Sequence, residues 1–312
     1  MALTLLEGNK YSTTELDRVV IDRLVKDDQI LLNLPFESLL GNSLTYDTIT
    51  TRSGASFYSV GDTWTESTPS LTQATVTLKI LGGDADVDNF LLATRSNKID
   101  LQGTVLEDKI LAVKEKFLDT FVYGSATVDV KQFNGLQLLL TDTTYNTVHA
   151  GTGTGSAATI AKMRECVDLI TGWNGGTHIL MSKKMRRLMA TYLDSVGATM
   201  PRAVNTFGKT IDTFDGKEII VSDHIVNTEL AATGKYSAKT GGNTTSMYFL
   251  TFAPQALSGV QGSEGIKTVP IGELETKDAT RHRIKWYCGL KFENIRSCAK
   301  FDGIKTTSAV TA

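Results

Sequence analysis

The pattern of apolar and polar positions changes abruptly near residue 73. Residues 43–72 hold fourteen Ser or Thr among thirty positions and almost no core-forming apolar run. Strict alternation follows. Ala74, Val76, Leu78 and Ile80 fall on one face of a strand, and Gln73, Thr75, Thr77 and Lys79 on the other, the period-two signature of a half-buried β-strand that belongs to a core. Residues 44–60 are strand-like too, with Gly54 near a bend. Pairing them with residues 73–80 makes a long two-stranded hairpin, and an isolated hairpin is marginal in water. A polar arm of this length has little to bury within its own chain. Compact domains rarely carry such a connection unless it is functional or packs on something else, and the obvious something else is another copy of the protein.

Upstream, Ser12-Thr13-Thr14-Glu15 fits a capping box, and Leu16, Val19, Val20 and Leu24 recur at helical spacing. Pro35 marks the end of that helix. The clearest helix is 99–123, where Leu106, Ile110, Val113, Phe117 and Phe121 form one stripe, extended by Leu101 and Val105. Glu107, Asp108, Lys114, Glu115 and Asp119 occupy much of the remainder, and Gly124 stands at the C-terminal cap position. At ~1.5 Å per residue such a helix spans roughly 37 Å. Beyond it the pattern predicts a helix over 158–173, a short apolar strand over 178–181 and a helix over 183–196. A hairpin over 207–222 around Asp215-Gly216, a polar glycine-rich loop over 234–245 and a buried strand over 247–252 follow. The chain returns through 266–271 and a charged strand pair over 273–292, where Trp286-Tyr287 amid the charges suggests partial burial. There is no internal repeat, low-complexity tract or heptad run.

Composition narrows the function without fixing it. With 312 residues, 41% hydrophobic and 21% charged, the chain suits one large domain or two smaller ones. Thirty-two basic and thirty-four acidic residues give a net charge of −2, so no overall field grips nucleic acid. A container wall could still lie beside DNA without binding it tightly. Cys166, Cys288 and Cys298 lack C-x-x-C spacing and read as free buried thiols in a reducing compartment. The first residues lack a basic segment followed by an apolar stretch, so no signal peptide is expected, and no apolar run approaches the ~20 residues of a membrane span.

Candidate chemistry is sparse. Asp84, Asp86 and Asp88 alternate, which puts three carboxylates on one strand face. They would suit a divalent cation or basic residues on a neighbouring element; as an EF-hand loop the segment fails, with Asn89 at position six and Arg95 at position twelve. Gly208-Lys209-Thr210 echoes a phosphate loop but has Ala203 where the first Gly belongs. Gly151-Thr152-Gly153-Thr154-Gly155 precedes a helix and in principle holds an anion; Ser156 breaks the dinucleotide pattern, and a flexible linker is the better reading. His149, His178, His224 and His282 show no paired metal-ligand spacing, and no Ser lies in a nucleophile elbow. Glu273, Glu275, Lys277, Asp278, Arg281, Arg283 and Lys285 form a mixed cluster, either an exposed hairpin or an ion-pair network between subunits.

Several stretches carry a resemblance. Val60-Gly61-Asp62-Thr63-Trp64-Thr65-Glu66-Ser67, the alternating strand, and Gly82-Gly83-Asp84-Ala85-Asp86-Val87-Asp88-Asn89-Phe90 resemble the major capsid proteins of tailed bacteriophages, the Hong Kong 97-type capsid family. So do Pro270-Ile271-Gly272-Glu273-Leu274-Glu275-Thr276-Lys277-Asp278-Ala279-Thr280-Arg281 and Ile284-Lys285-Trp286-Tyr287. The likeness runs from Met1 to about Gly303 in order and spacing. It implies a mixed α+β fold with an N-terminal arm (1–42), an extended hairpin loop (43–80), a peripheral domain with a long spine helix (81–150 and 266–312) and an inserted axial domain (151–265). It implies a structural role with no catalytic residue, cofactor or metal. Copies would form hexamers and pentamers and close an icosahedral shell around double-stranded DNA, held without sequence-specific binding.

The same resemblance implies further partners and places. The arm would reach beneath neighbours and the hairpin over an adjacent subunit. No long scaffolding segment precedes the arm, so scaffolding would come from a separate protein or be dispensable, and a portal would be a further partner. Assembly would occur in the host cytoplasm and the product would be the virion, with no membrane involved. Maturation would rotate subunits and bend the spine helix. No Lys occurs between Lys26 and Lys79, so the Lys–Asn crosslinking of some relatives is not expected. The rival within the fold is an encapsulin shell around a protein cargo. The rival outside it is a cytosolic metal- or nucleotide-dependent enzyme using Asp84, Asp86 and Asp88 or the 151–156 turn.

Overall fold

The computed structural model describes residues 3–4, 28–51, 53–95, 101–171, 178–204, 210–232 and 234–311. The expected arm helix with Ser12 and Glu15, and Gly208 and Lys209, lie outside these residues. In chain order, β1 (Leu3–Thr4), α1 (Gln29–Asn33) and β2 (Pro35–Leu39) precede a hairpin of β3 (Ser43–Thr51) and β4 (Ser70–Thr77). Then come β5 (Lys79–Asp88), α2 (Asn89–Arg95), α3 (Leu101–Tyr123), α4 (Leu136–Leu139) and β6 (Thr147–His149). They are followed by α5 (Ile160–Leu169), β7 (His178–Met181), α6 (Lys183–Ser195), β8 (Arg202–Val204), β9 (Thr210–Phe214) and β10 (Lys217–Val221). The last strands are β11 (Leu230–Ala232), β12 (Lys235–Ala238), β13 (Thr244–Leu250), β14 (Leu257–Leu274), β15 (Lys277–Phe292) and β16 (Ala299–Lys305).

Local chemistry starts and stops these elements. Asp28, Thr159 and Ser182 accept hydrogen bonds from Ile30, Lys162 and Met185 amides, capping α1, α5 and α6. Asp215 and Gly216 both take positive φ, 52° and 77°, which closes the β9–β10 hairpin as the sequence predicts. Gly124 ends α3, donating its amide to Thr120, but it is not among the glycines with positive φ. A Cβ there would lie 2.4 Å from the Phe133 carbonyl oxygen, so close backbone packing, not a left-handed cap, requires the glycine.

Two larger sheets organise the molecule. One has the order β1-β2-β14-β15-β5; the other runs β6-β16-β13-β7-β10-β9-β8. The helix α3 packs on the first. Ile110, Val113, Phe117 and Phe121 are buried as the stripe predicts, joined by Leu118 and Val122. The Phe117 ring sits 4.5 Å from Trp286, 6.2 Å from Phe36 and 5.7 Å from Phe133, centroid to centroid. Trp286 is wholly buried, not partly as its charged neighbours suggest. Strand alternation explains this: Arg283, Lys285 and Tyr287 share the opposite face.

The central strands of the second sheet are buried on both sides, while β8 at its edge is exposed. Leu180, Ile220, Tyr248 and Leu250 face the core beneath α3, while Ile179, Met181, Ile219, Met247 and Phe249 face a second core completed by α5 and α6. Covering on both faces accounts for apolar runs with no alternation in β7 and β13. The α5 helix is shorter than predicted, and Trp173 lies outside the described residues. The supposed loop over 234–245 contains β12 and the start of β13, where Thr244 and Thr245 are buried. The expected division at residue 265/266 falls inside β14, and β16, from the C-terminal segment, completes the second sheet.

Candidate assembly surfaces

The extended hairpin forms, with differences in extent. β3 pairs antiparallel with β4 from Ser43↔Thr77 to Thr51↔Ser70 as its own two-stranded sheet. The alternating strand breaks at Leu78, and β5 continues into the five-stranded sheet. The break inverts parity: Ile80, expected on the buried face with Ala74, Val76 and Leu78, is 77% exposed. The strand-like reading through Val60 also fails, because β3 ends at Thr51. Hydrogen bonds within the tip explain its irregular course. Ser59 donates its amide to Asp62 (2.6 Å), Thr65 to the Tyr58 hydroxyl (3.1 Å) and Gly54 to Ser67 (2.8 Å). The Tyr58 and Trp64 rings stack with centroids 4.4 Å apart. Yet Phe57, Val60 and Trp64 stand at 108%, 109% and 78% exposure. The tip has a defined shape and presents large apolar groups to the outside.

At the other edge, the acidic strand meets basic residues. The register sets Asp84 opposite Arg283 and Asp86 opposite Arg281. Arg283 donates two hydrogen bonds to Asp84, at 2.6 and 2.8 Å, and Arg281 two to Asp86, at 2.6 and 2.7 Å. Lys277 adds a contact to Asp86 at 2.7 Å. Such bidentate pairs fix geometry; the hydrogen bonds from Arg283 and Arg281 hold both carboxyls below their usual range, Asp86 furthest. The pairs are open to solvent, so their value lies in register more than in stability. Asp88 does something else, accepting from the Phe90 and Leu91 amides to start α2. Asp278 accepts from Asn89, Glu273 lies opposite Thr280, Glu275 falls in the turn to β15, and Lys285 lies between Gly82 and Lys267. Lys277, Arg281 and Arg283 therefore have partners within their own chain.

A buried polar chain, invisible in sequence, joins the end of α3 to the second sheet. Glu229 is 1% exposed and accepts from Tyr123, the last residue of α3, and from Ser246, both at 2.6 Å. Gln137 donates to Ser246 (2.9 Å), and Lys300 donates to Gln137 Oε1 (3.0 Å). Lys300 lies 3.6 Å from Asp302, whose other oxygen is 2.5 Å from His149 Nδ1. Burial pushes Glu229 up to about 7 against the pull of Ser246 and Tyr123, and burial lowers Lys300.

The remaining candidates are dispersed. Gly155, Gly234 and Gly303 sit where three backbone segments meet: a Cβ on Gly155 would lie 2.5 Å from the Gly303 oxygen, and one on Gly234 would lie 2.0 Å from that of Gly151. The 151–156 turn is thus a packed crossing, not a flexible linker. His282 contacts Gln102 at 2.6 Å. Burial lowers His178 to about 4, so its 3.5 Å approach to Glu218 is no ion pair at neutral pH. The His149–Asp302 pair has the form of two members of a triad, but among the described residues His149 Nε2 meets no hydrogen-bond partner. Burial pushes all three thiols up, which makes them poor nucleophiles. Among the described residues no three His, Cys, Asp or Glu side chains are placed to hold a metal ion, and no helix is long and apolar enough to cross a membrane.

No family model and no curated protein sequence matches the chain. Solved structures do match in fold. The holo-SrpI encapsulin complex from Synechococcus elongatus PCC 7942 is 15% identical, with 92% of this chain and 91% of that one covered and a TM-score of 0.69. The capsid of a native GTA particle is 11% identical, with 90% of each chain covered and a TM-score of 0.62. A structure of Microbacterium phage Oxtober96 is 11% identical, with 91% of each chain covered and a TM-score of 0.60. The chain has the mixed α+β Hong Kong 97-type capsid fold.

Proposed function

We propose that this protein is a major capsid protein. Its copies assemble as hexamers and pentamers into an icosahedral shell around double-stranded viral DNA. The observation that carries this reading is the hairpin of β3 and β4. It stands as a separate sheet, its tip is shaped by its own hydrogen bonds, and Phe57, Val60 and Trp64 are exposed on it. A monomer gains nothing from that arrangement. A neighbouring copy gains an apolar contact, and burial at ~25 cal/mol per Å², repeated around a closed shell, stabilises an assembly from individually weak contacts. We read 43–80 as the arm over the neighbour, the part built on the five-stranded sheet and α3 as peripheral, and the part built on the seven-stranded sheet, β6 and β16 included, as axial. A separate scaffolding protein and a portal complete the partner set, with assembly in the host cytoplasm and the virion as destination. The work is mechanical, with no catalytic step.

The match to an encapsulin complex favours a second reading, a shell around a protein cargo. Negative-stain microscopy of purified protein, with size-exclusion chromatography, tests the common claim. Closed shells, tubes or ring-shaped capsomers are expected. A monomer unchanged at high concentration, with crowding agent and scaffold added, refutes it. Nuclease-protected DNA in particles from the native source then supports a capsid, and a co-purifying protein cargo supports the alternative.

A further inference from the structure

The hairpin joins the body at one concentrated contact. Tyr46 donates its hydroxyl to the Phe292 carbonyl at 2.9 Å, and Thr48 donates to the Glu293 carbonyl at 3.2 Å. Beneath them Lys291 is 8% exposed at its side chain. Its ammonium lies 2.8 Å from Glu293, 3.1 and 3.2 Å from the two Glu37 oxygens and 3.2 Å from the Pro254 carbonyl. It also sits 5.9 Å from the Tyr46 ring centroid, within cation–π range. Burial works against the Lys291 charge, but Glu293 and Glu37 outweigh it and keep the amine protonated. Three strands thus converge on one cation: β2 through Glu37, β3 through Tyr46, and the end of β15.

The other hairpin strand rests on the same strand two residues away. A Cβ on Gly289 would lie 3.2 Å from the Val76 side chain and 3.3 Å from the Thr77 oxygen. Elsewhere β4 is largely exposed. The hairpin is therefore a lever clamped from its root as far as Thr48, opposite Thr72, with the tip beyond Thr51 as its far arm. A tilt at the clamp changes the direction in which the whole tip leaves the body.

We propose that Lys291 is a positioning residue that sets the angle of the extended hairpin, and with it the curvature at which copies of this chain join. The idea rests on the shell reading for its consequence but not for its first test. Hydrogen exchange on unassembled wild type and K291M reads the lever directly. Amides of β3 and β4 are expected to exchange at least tenfold faster in K291M, while α3 and β13 keep their protection. Unchanged hairpin exchange overturns the proposal, and so does a uniform rise across the chain, which would make Lys291 a general core residue. Y46F and G289A disturb the same contact without touching a charge, and serve if K291M does not fold; unchanged hairpin exchange in both also overturns the proposal. Particle diameters provide the second readout. K291M and G289A are expected to give a broader size distribution than wild type by electron microscopy, and wild-type diameters in both refute the link to curvature. If wild type forms no particles, the shell reading fails while the exchange result still decides the clamp.

Discussion

Glu229 permits a quantitative test of the buried polar chain. Its pKa is raised from 4.5 to about 7 in the folded protein, chiefly by burial. The folded state therefore holds this proton more tightly than the unfolded chain does. As pH rises from 4.5 the unfolded state ionises first, and stability falls until the folded carboxyl ionises near 7; above that the loss is complete. The gap between 4.5 and about 7, at about 1.4 kcal/mol per pH unit, corresponds to about 3 kcal/mol. That is a large share of the ~5–15 kcal/mol that holds a typical fold. Gln has the shape of the protonated acid, with one oxygen to accept and one nitrogen to donate to the Tyr123 or Ser246 oxygen. E229Q should therefore not show this loss. The assay is urea unfolding of the unassembled subunit, followed by fluorescence of buried Trp286, at pH 5 and pH 8.5. Between those values E229Q should gain about 2–3 kcal/mol on wild type. A difference between the two proteins that stays constant within about 0.5 kcal/mol refutes the reasoning. It would show that the two hydroxyls stabilise the carboxylate enough to cancel its burial.

Other substitutions separate folding from assembly. Phe117→Ala empties the centre of the cluster with Phe36, Phe121, Phe133 and Trp286; it should cost about 3–5 kcal/mol in chemical denaturation, and a loss below about 1 kcal/mol contradicts the packing. Trp64→Ala should leave subunit stability within about 0.5 kcal/mol of wild type while raising the protein concentration needed for assembly about tenfold, the equivalent of about 1.4 kcal/mol. Light scattering against concentration measures this, and an unchanged threshold argues against tip contact. Assembled particles should run as a single monomer band on denaturing electrophoresis, because no Lys lies between Lys26 and Lys79; ladders would show that crosslinking uses another residue.

Periodicity reports which residues share a face, and it served where the face was simple. The stripe on α3, the Asp215-Gly216 hairpin and the acidic face of β5 are legible because each is set by local geometry. Tertiary context decided the rest. Ile80 continues the alternation of residues 74–78 in sequence, but the chain changes sheets at Leu78 and the parity flips. Lys300 and Asp302 alternate with Ala299 and Phe301 along β16, which in sequence looks like a solvated face opposite a buried one. Gln137 and the Tyr236 amide cover that face instead, and both charges are buried. The covering groups come from residues 163 and 66 positions away, beyond the reach of any local pattern.

The same distinction bears on the hairpin, in the opposite sense. For β16 the cover exists within the chain and the sequence conceals it. For residues 53–69 the sequence reads as polar, and the structure adds that Phe57, Val60 and Trp64 are exposed while the backbone around them is held by Tyr58, Asp62, Thr65 and Ser67. A loop selected only for solubility would need neither the fixed shape nor the apolar groups. Preorganisation reduces the ordering entropy lost when a surface binds, so a tip already in shape favours repeated, reversible contacts. Closing a shell requires contacts of that kind, weak enough to correct errors and numerous enough to hold. A rigid root at Lys291 and a preformed tip then act together. The root sets where the tip arrives, and the tip spends little of its contact energy on ordering itself.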